Sequence, residues 1–415
     1  MEVNAVSKRI NVHHEYQRGF IKQVDSAMAG NSIIIKNPFD RMQQTFNMMQ
    51  SRFTLLGSIS GVGKSAFIDD AFLLKPWRNL YLEPDRDIHF EAIYFSMERK
   101  KMFKHAKWMS WLLYQEKGWL LSADAIMGWD PRGLISKEVY NTIRSYDNRI
   151  SDILDAFPIY DGRISVASIA IMIKNKARQL GDLFVTDTVG VKMNGEPLYL
   201  QVFDKDIVRQ TRRGPVQYLT FSYKGQEVMM EPNQKEYFLH NPKTFLSIVL
   251  DGAGLVTTRK GQSVKQAIDE VTNLLADARD VFGFSPIMVS QFNRNIADIQ
   301  RQKHHGADLS PQEGDFKDSS NMFQAADLVL GLFDPYRMKA LTKTGEYLGY
   351  DIVNGMIAPK GFSRFRSLHV LKNSFGFDGS VYGMGFWGEV NHFEVLPKPD
   401  SADLQQVYAR VISGK

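Results

Sequence analysis

Two hydrophobic rhythms alternate along the chain. Short, nearly continuous apolar runs occur at Phe53-Thr54-Leu55-Leu56, at HFEAIYFS (89–96), FLSIVLD (245–251), PIMVSQ (286–291) and AADLVLGLF (325–333). Runs this apolar, bounded by turn residues, predict strands buried on both faces. Between them, apolar residues return at helical spacing, which predicts helices over AFIDDAFLL (66–74), from Arg99 to about Leu180, and from Ser263 to Phe282. Trp108, Met109 and Trp111 in the second region read as core. Strand-like IIIK (33–36), a Pro-Phe turn and a short helix precede the first run, and strands from Ser367 to Phe386 close the series. Strands alternating with helices predict an α/β fold, a mainly parallel central sheet flanked by helices, with its ligand site at the C-terminal strand ends.

The rhythm changes between Gly181 and about Pro242, where short alternating runs (LFVTDTVGVKM, PLYLQVF, VQYLTFSY, QEVMM) predict β-structure. Asn194-Gly195 is a strong hairpin turn, and Lys224-Gly225 a weaker one. The expected organisation is an arm over 1–30, a core over 31–386 carrying a β-rich insertion at 183–241, and a tail over 387–415. Tyr16 to Met28 is amphipathic, as a short arm or helix would be. Arg209, Arg212 and Arg213 in the insertion could meet phosphate, but a solvated basic face is the more common explanation.

Chemistry first appears at Gly57 to Ser65, GSISGVGKS, between the first apolar run and the first helix. Strand, glycine-rich turn and helix start are the setting of a phosphate-binding P-loop. Ser58, Ser60, Gly61, Val62 and Gly63 would curl the backbone around phosphate, Lys64 would reach the β- and γ-phosphates, and Ser65 would hold Mg²⁺. In the strict spacing the first glycine falls at Ser58, with Gly57 one place early. Asp251 ends an apolar strand, where a carboxylate beside a P-loop organises Mg²⁺ and its water. Glu98 closes another such strand and is placed to orient or deprotonate an attacking water, or to favour the following helix start. Gln291, after PIMVS, is placed to contact the γ-phosphate and report its loss. The expected ligands are ATP or another NTP, with Mg²⁺.

Composition adds little more. The chain has 415 residues, 44% hydrophobic and 23% charged, as in ordinary globular proteins. A net charge of +5 tilts towards nucleic acid without requiring it. With no cysteine, disulfides, thiolate metal sites and cysteine nucleophiles are excluded, which suits a reducing compartment. MEVNAVSKRINVHHEYQ lacks the apolar core of a signal peptide, and no apolar run is long enough to span a bilayer. The expectation is a cytoplasmic protein with no membrane partner.

Several ordered motifs then agree. YFSME (94–98), PIMVSQFNRN (286–295) and DFKDSSNMFQAADLVLGL (315–332) resemble the DnaB-type replicative helicases, which have a RecA-like core. The last of these follows the family pattern without a gap. LFDPYRM, YLGYDI and FRSLHVLKNSFG look particularly like helicases of crAss-like tailed phages, which would place the protein in a host cytoplasm. The resemblance covers roughly Ile34 to Phe386 apart from the insertion, and lacks the family's amino-terminal helical domain and any attached primase.

What it implies is a ring, usually hexameric, that encircles single-stranded DNA and moves along it by hydrolysing nucleotide between subunits, with a possible loader or primase partner. Carried over, Lys64 and Ser65 bind phosphate and Mg²⁺, Glu98 is the catalytic base, Asp251 organises the metal and Gln291 senses the γ-phosphate. Arg294, Lys317, Ser319 and Ser320 fall on segments that contact the DNA backbone, and Arg294 to Lys303 with His304 and His305 is basic, as a channel loop should be. The family's Lys-x-Arg pair reads Lys372-Asn373-Ser374 here, so Lys372 is retained and the arginine that enters the neighbour's site is replaced by Ser374. Arg364 and Arg366 are candidates to supply a trans arginine, with Arg337 a further one. Two other readings follow from these features: a RecA-like recombination ATPase forming filaments, and a weakly hydrolysing nucleotide-binding structural or loader-associated subunit.

Overall fold

The computed structural model describes residues 22–28, 33–83, 87–131, 133–186, 191–198, 208–211, 214–217, 219–230, 233–293, 309–316 and 320–414. They fall into two compact units, the larger made of Ile34–Ala170, Phe245–Asp280 and Phe284–Lys415.

The larger unit is built on one sheet. Its elements, in chain order, are β1 (Thr54–Ser58), α1 (Lys64–Ile68), β2 (His89–Ser96), α2 (Lys101–Lys117), β3 (Ile159–Asp161), β4 (Thr244–Asp251), α3 (Val264–Phe282) and β5 (Ser285–Gln291). Then follow β6 (Leu328–Phe333), β7 (Phe365–Asn373), β8 (Val381–Trp387), β9 (His392–Val395) and α4 (Asp403–Ser413). The nine strands lie in the order β9-β8-β7-β6-β1-β5-β4-β2-β3. The pairs β6–β1, β1–β5, β5–β4 and β2–β3 are parallel, whereas β6–β7, β7–β8 and β8–β9 are antiparallel. Every residue of β1, β4 and β6 is buried, as expected of central strands covered on both faces.

The helical stretch expected from Arg99 to about Leu180 is interrupted. Helices cover 101–117, 123–126, 137–145, 147–156 and 166–180, and the short strand β3 adds an edge to the sheet. With only Ile159-Tyr160-Asp161 in it, β3 is too short to show a period. Trp108, Met109 and Trp111 are buried. The residues after 386 continue the same fold: β9 extends the sheet, and Leu404 and Val411 of α4 pack with Tyr350, Met356, Phe365, Trp387 and Leu396.

Beyond α1 the helix widens into a π-helical turn over Asp69–Leu74 before returning to α-helix at Lys75–Leu82. Both Asp69 and Asp70 are buried. Asp70 accepts hydrogen bonds from Trp111 Nε1 (2.6 Å), Lys75 Nζ (2.8 Å) and the Phe393 amide (2.9 Å), pinning β9 and α2 to the P-loop helix.

The described residues of 171–244 belong to the second unit. Gly181–Thr186 pairs antiparallel with Lys235–Leu239 and with Val191–Met193, which pairs with Glu196–Pro197. Val208–Thr211 with Gly214–Gln217, and Leu219–Tyr223 with Gln226–Met230, form two more hairpins. Asn194-Gly195 and Lys224-Gly225 both take positive φ, the backbone of a tight hairpin turn. Phe184, Val191, Phe221, Val228 and Met230 form a small core of their own. Arg209 lies on the first of these hairpins, while Arg212 and Arg213 lie outside the described residues.

Candidate functional site

The loop between β1 and α1 is shaped by two left-handed glycines, Gly61 (φ 78°) and Gly63 (φ 112°). Gly57 serves packing instead, since a Cβ there would lie 2.2 Å from the Phe292 ring and 2.5 Å from the Phe316 ring. That explains the displaced first glycine of the motif. Ser58 is fully buried and its hydroxyl donates to the Ile59 carbonyl (3.2 Å).

Lys64 folds back into the loop, its ammonium donating to the carbonyls of Ser58 (3.2 Å) and Ile59 (3.1 Å). Burial lowers its pKa, Glu98 and Asp251 oppose the shift, and Arg337 adds to it. Two arginines hold the loop from outside. Arg337 donates to the Ser60 carbonyl (2.7 Å), and Arg366 Nε to the Val62 carbonyl (2.9 Å). Carbonyls drawn outward in this way leave the loop's amides for an anion.

Strand register brings the other groups to the same edge. Gln291 is the register partner of Ser58, and Asp251 that of Val289 two residues before it. Ser65 Oγ donates to Asp251 Oδ1 (3.0 Å), and the Tyr94 hydroxyl donates to Asp251 Oδ2 (2.9 Å). Gln291 Nε2 reaches Glu98 Oε1 at 3.4 Å, both side chains being exposed. Lys64, Glu98, Gly252 and Gln291 line a cavity of about 370 Å³, closed on its other side by Val264, Lys265 and Ile268 of α3. Among the described residues, no cluster of three or more His, Cys, Asp or Glu could hold a metal by itself. A serine hydroxyl and one carboxylate beside a phosphate cradle nevertheless fit Mg²⁺, which is commonly bound through one or two carboxylates, substrate phosphates and retained waters.

The arginines and the lysine from the late strands make contacts within their own chain. Arg364 is buried and forms a two-pronged ion pair with Glu389 (3.0 Å each), its guanidinium stacked on Trp387. Arg366 is also buried, paired with Asp334 (3.0 Å) and bonded to its own subunit's P-loop. Both guanidinium groups are therefore engaged within their own chain. Lys372 lies at the opposite sheet edge, since Asn373 pairs with Leu328 at the start of β6. Its ammonium donates to the carbonyls of Phe323 (3.1 Å) and Gln324 (3.0 Å), at the end of the helix Ser320–Ala325.

Among the residues expected to contact DNA, Arg294, Lys317 and Ser319 lie outside the described residues, as do His304 and His305; Ser320 begins that helix. Phe292 forms an isolated antiparallel bridge with Phe316, and the two rings meet edge to face at 5.1 Å.

Sequence reasoning missed the groups behind Asp251. Tyr94, Lys104 and Asp69 form a buried chain there, with the Lys104 ammonium 2.9 Å from Asp69 Oδ1 and 2.5 Å from the Tyr94 hydroxyl. The contact with Asp69 is a buried ion pair. Burial raises the Asp69 pKa against the pull of Lys104, and raises that of Tyr94 with help from Asp251 and Asp69. A signal was present: Lys104, Trp108 and Trp111 share one helical face, so the lysine had to point inward with the tryptophans.

No protein-family model matches the chain, and no curated protein sequence matches it. Solved structures do. The chain is similar to a solved ATPase domain, with a TM-score of 0.58 and 13% identity over 92% of this chain and 99% of that one. It is also similar to a DnaB-like replicative helicase described with its interactions with primase, with a TM-score of 0.55 and 15% identity over 92% of this chain. The chain spans 66% of that helicase's length. At these identities the likeness is one of fold, and the fold is the RecA-like one of DnaB-like replicative helicase ATPase domains.

Proposed function

We propose that this chain is a nucleotide-hydrolysing motor of the DnaB helicase class, acting as a ring on single-stranded DNA. The observation that carries the reading is the meeting of five groups at one sheet edge. Lys64, Ser65, Asp251, Glu98 and Gln291 come from one helix start and the ends of three strands, yet Lys64, Glu98 and Gln291 line one cavity and Ser65 is bonded to Asp251. Lys64 and the loop amides hold the phosphates of ATP or another NTP, and Ser65 with Asp251 holds Mg²⁺ and its waters. Bound there, Mg²⁺ would offset the negative charge of the phosphates. Glu98 orients the attacking water and accepts its proton. Gln291 touches the γ-phosphate and is one residue from Phe292, whose bridge to Phe316 carries the change towards the segment of Lys317, Ser319 and Ser320. That segment and Arg294 contact the DNA backbone, a sequence-independent contact that weakens with salt. Partners of the class, a loader or primase, remain part of the proposal, as do a cytoplasmic site of action and the crAss-like phage origin suggested by LFDPYRM and FRSLHVLKNSFG. Among the described residues no helix is long and apolar enough to cross a membrane.

A second reading, a subunit that binds nucleotide but hydrolyses it weakly, is favoured by one observation. Ser374 stands where the family has its finger, and Arg364 and Arg366 are committed to Glu389 and Asp334. The two readings differ in turnover. The purified chain with Mg²⁺ is expected to hydrolyse ATP, to do so faster with single-stranded DNA, and to lose binding and turnover together in Lys64→Ala. A wild-type protein that binds ATP without DNA-stimulated hydrolysis selects the second reading.

A further inference from the structure

We infer that Lys104 is a positioning residue for the metal-organising carboxylate, acting on Asp251 through the Tyr94 hydroxyl and counterbalancing Asp69 from the other side. The inference rests on the Mg²⁺–nucleotide reading of the site. It does not require motor activity.

Asp69 and Asp251 are both nearly inaccessible to solvent, at 1% and 2% exposure, and Lys104 at 2% is the cation between them. Its ammonium lies 2.9 Å from Asp69 and 3.7 Å from Asp251 Oδ2. Two buried carboxylates without a counter-charge would be strongly destabilising, so one lysine serves both. Geometry then assigns direction. Tyr94 accepts from Lys104 and so turns its proton to Asp251 Oδ2, which leaves Oδ1 facing Ser65. The carboxylate thus has one oxygen fixed from behind and the other presented at the P-loop. Outer groups of this kind set the orientation of metal-organising side chains.

The elements that supply the chain of contacts also matter. Asp69 opens the π-helical turn directly after α1, Tyr94 is on β2, Lys104 on α2 and Asp251 at the end of β4. The wide turn lies inside the P-loop helix, where π-type turns often mark functional positions. Glu98 lies between β2 and α2, so the segment bearing the proposed base is tied on both sides to the group that organises the metal.

The test uses the full chain and a fluorescent ATP analogue, titrated with Mg²⁺ and with EDTA. Wild type is expected to bind more tightly with Mg²⁺. In Lys104→Met that Mg²⁺-dependent gain is expected to shrink by roughly 10-fold or more, with affinity in EDTA unchanged. Tyr94→Phe removes one oxygen and no charge, keeps the packing, and is expected to lose part of the same gain. It decides the matter if Lys104→Met does not fold. A wild-type gain retained in both variants overturns the inference, as does an equal loss in EDTA and Mg²⁺, which would mark a purely structural role. A wild type that binds the analogue with no Mg²⁺-dependent gain overturns instead the reading of the site on which the inference rests.

Discussion

At the residue scale, the proposed site separates side chains that are held from one that is exposed. Lys64 and Ser65 are bonded into the loop and to Asp251, whereas Glu98 is exposed and makes one long contact to Gln291. A carboxylate so loosely held is free to meet a water once phosphate arrives. Glu98→Gln is therefore expected to leave nucleotide affinity intact and to lower hydrolysis by roughly 10²–10⁴-fold, the usual worth of a general base. Equilibrium binding and steady-state turnover measured on the same preparation check this, and a fall in affinity matching the fall in rate would place Glu98 in binding instead. What could be read from sequence at this scale was the local chemistry. Lys64 and Ser65 sit in a contiguous motif, and Asp251 and Glu98 each close an apolar run. Tyr94, Lys104 and Asp69 escaped because their contacts join residues far apart in sequence, and a lysine in a helix ordinarily faces water. The acids in AFIDDAFLL were a missed warning, since two carboxylates inside so apolar a helix need buried partners.

At the scale of elements, Asp70 does for packing what Asp251 does for the site. It ties the π-helical turn to α2 through Trp111 and to β9 through the Phe393 amide. Burial pushes its pKa up, but Lys75 and His392 outweigh burial and the net shift is downward. A carboxyl depressed on folding contributes stability that is present above its unfolded pKa and is lost as pH falls through the folded value. Asp70→Asn is expected to destabilise the larger unit by about 3 kcal/mol at neutral pH. The gap between the melting curves of wild type and variant should close below about pH 4. An unchanging gap down to strongly acidic pH would show that hydrogen bonding and not charge carries the effect. Strand existence and helix α3 were legible because their patterns are long and regular. Short β3 was not, and α4 was missed although Leu404, Val407, Tyr408 and Val411 recur at helical spacing.

At the scale of the whole molecule, every group of the candidate site belongs to the larger unit. The β-rich unit joins the chain at paired positions, Gly181 opposite Leu239, so its two ends are adjacent. Replacing residues 183–237 by a short Gly-Ser turn is expected to leave Mg²⁺–nucleotide binding unchanged, as read by the same fluorescent titration. Loss of binding would show that this unit supports the site. The turn after Asn373 stands at the far sheet edge from the P-loop of its own chain, so a side chain there can serve a nucleotide only in a neighbouring copy. That geometry is why the reading of a motor is one of an assembly and not of a single chain.

Nucleotide turnover at Lys64 and Glu98 is proposed to drive movement along single-stranded DNA. Strand separation on a forked DNA duplex with ATP and Mg²⁺ tests it most directly. The wild-type chain is predicted to release the displaced strand, and Glu98→Gln to bind the fork without releasing it. Hydrolysis by the wild type with no strand released, on forks of either polarity, would contradict the account.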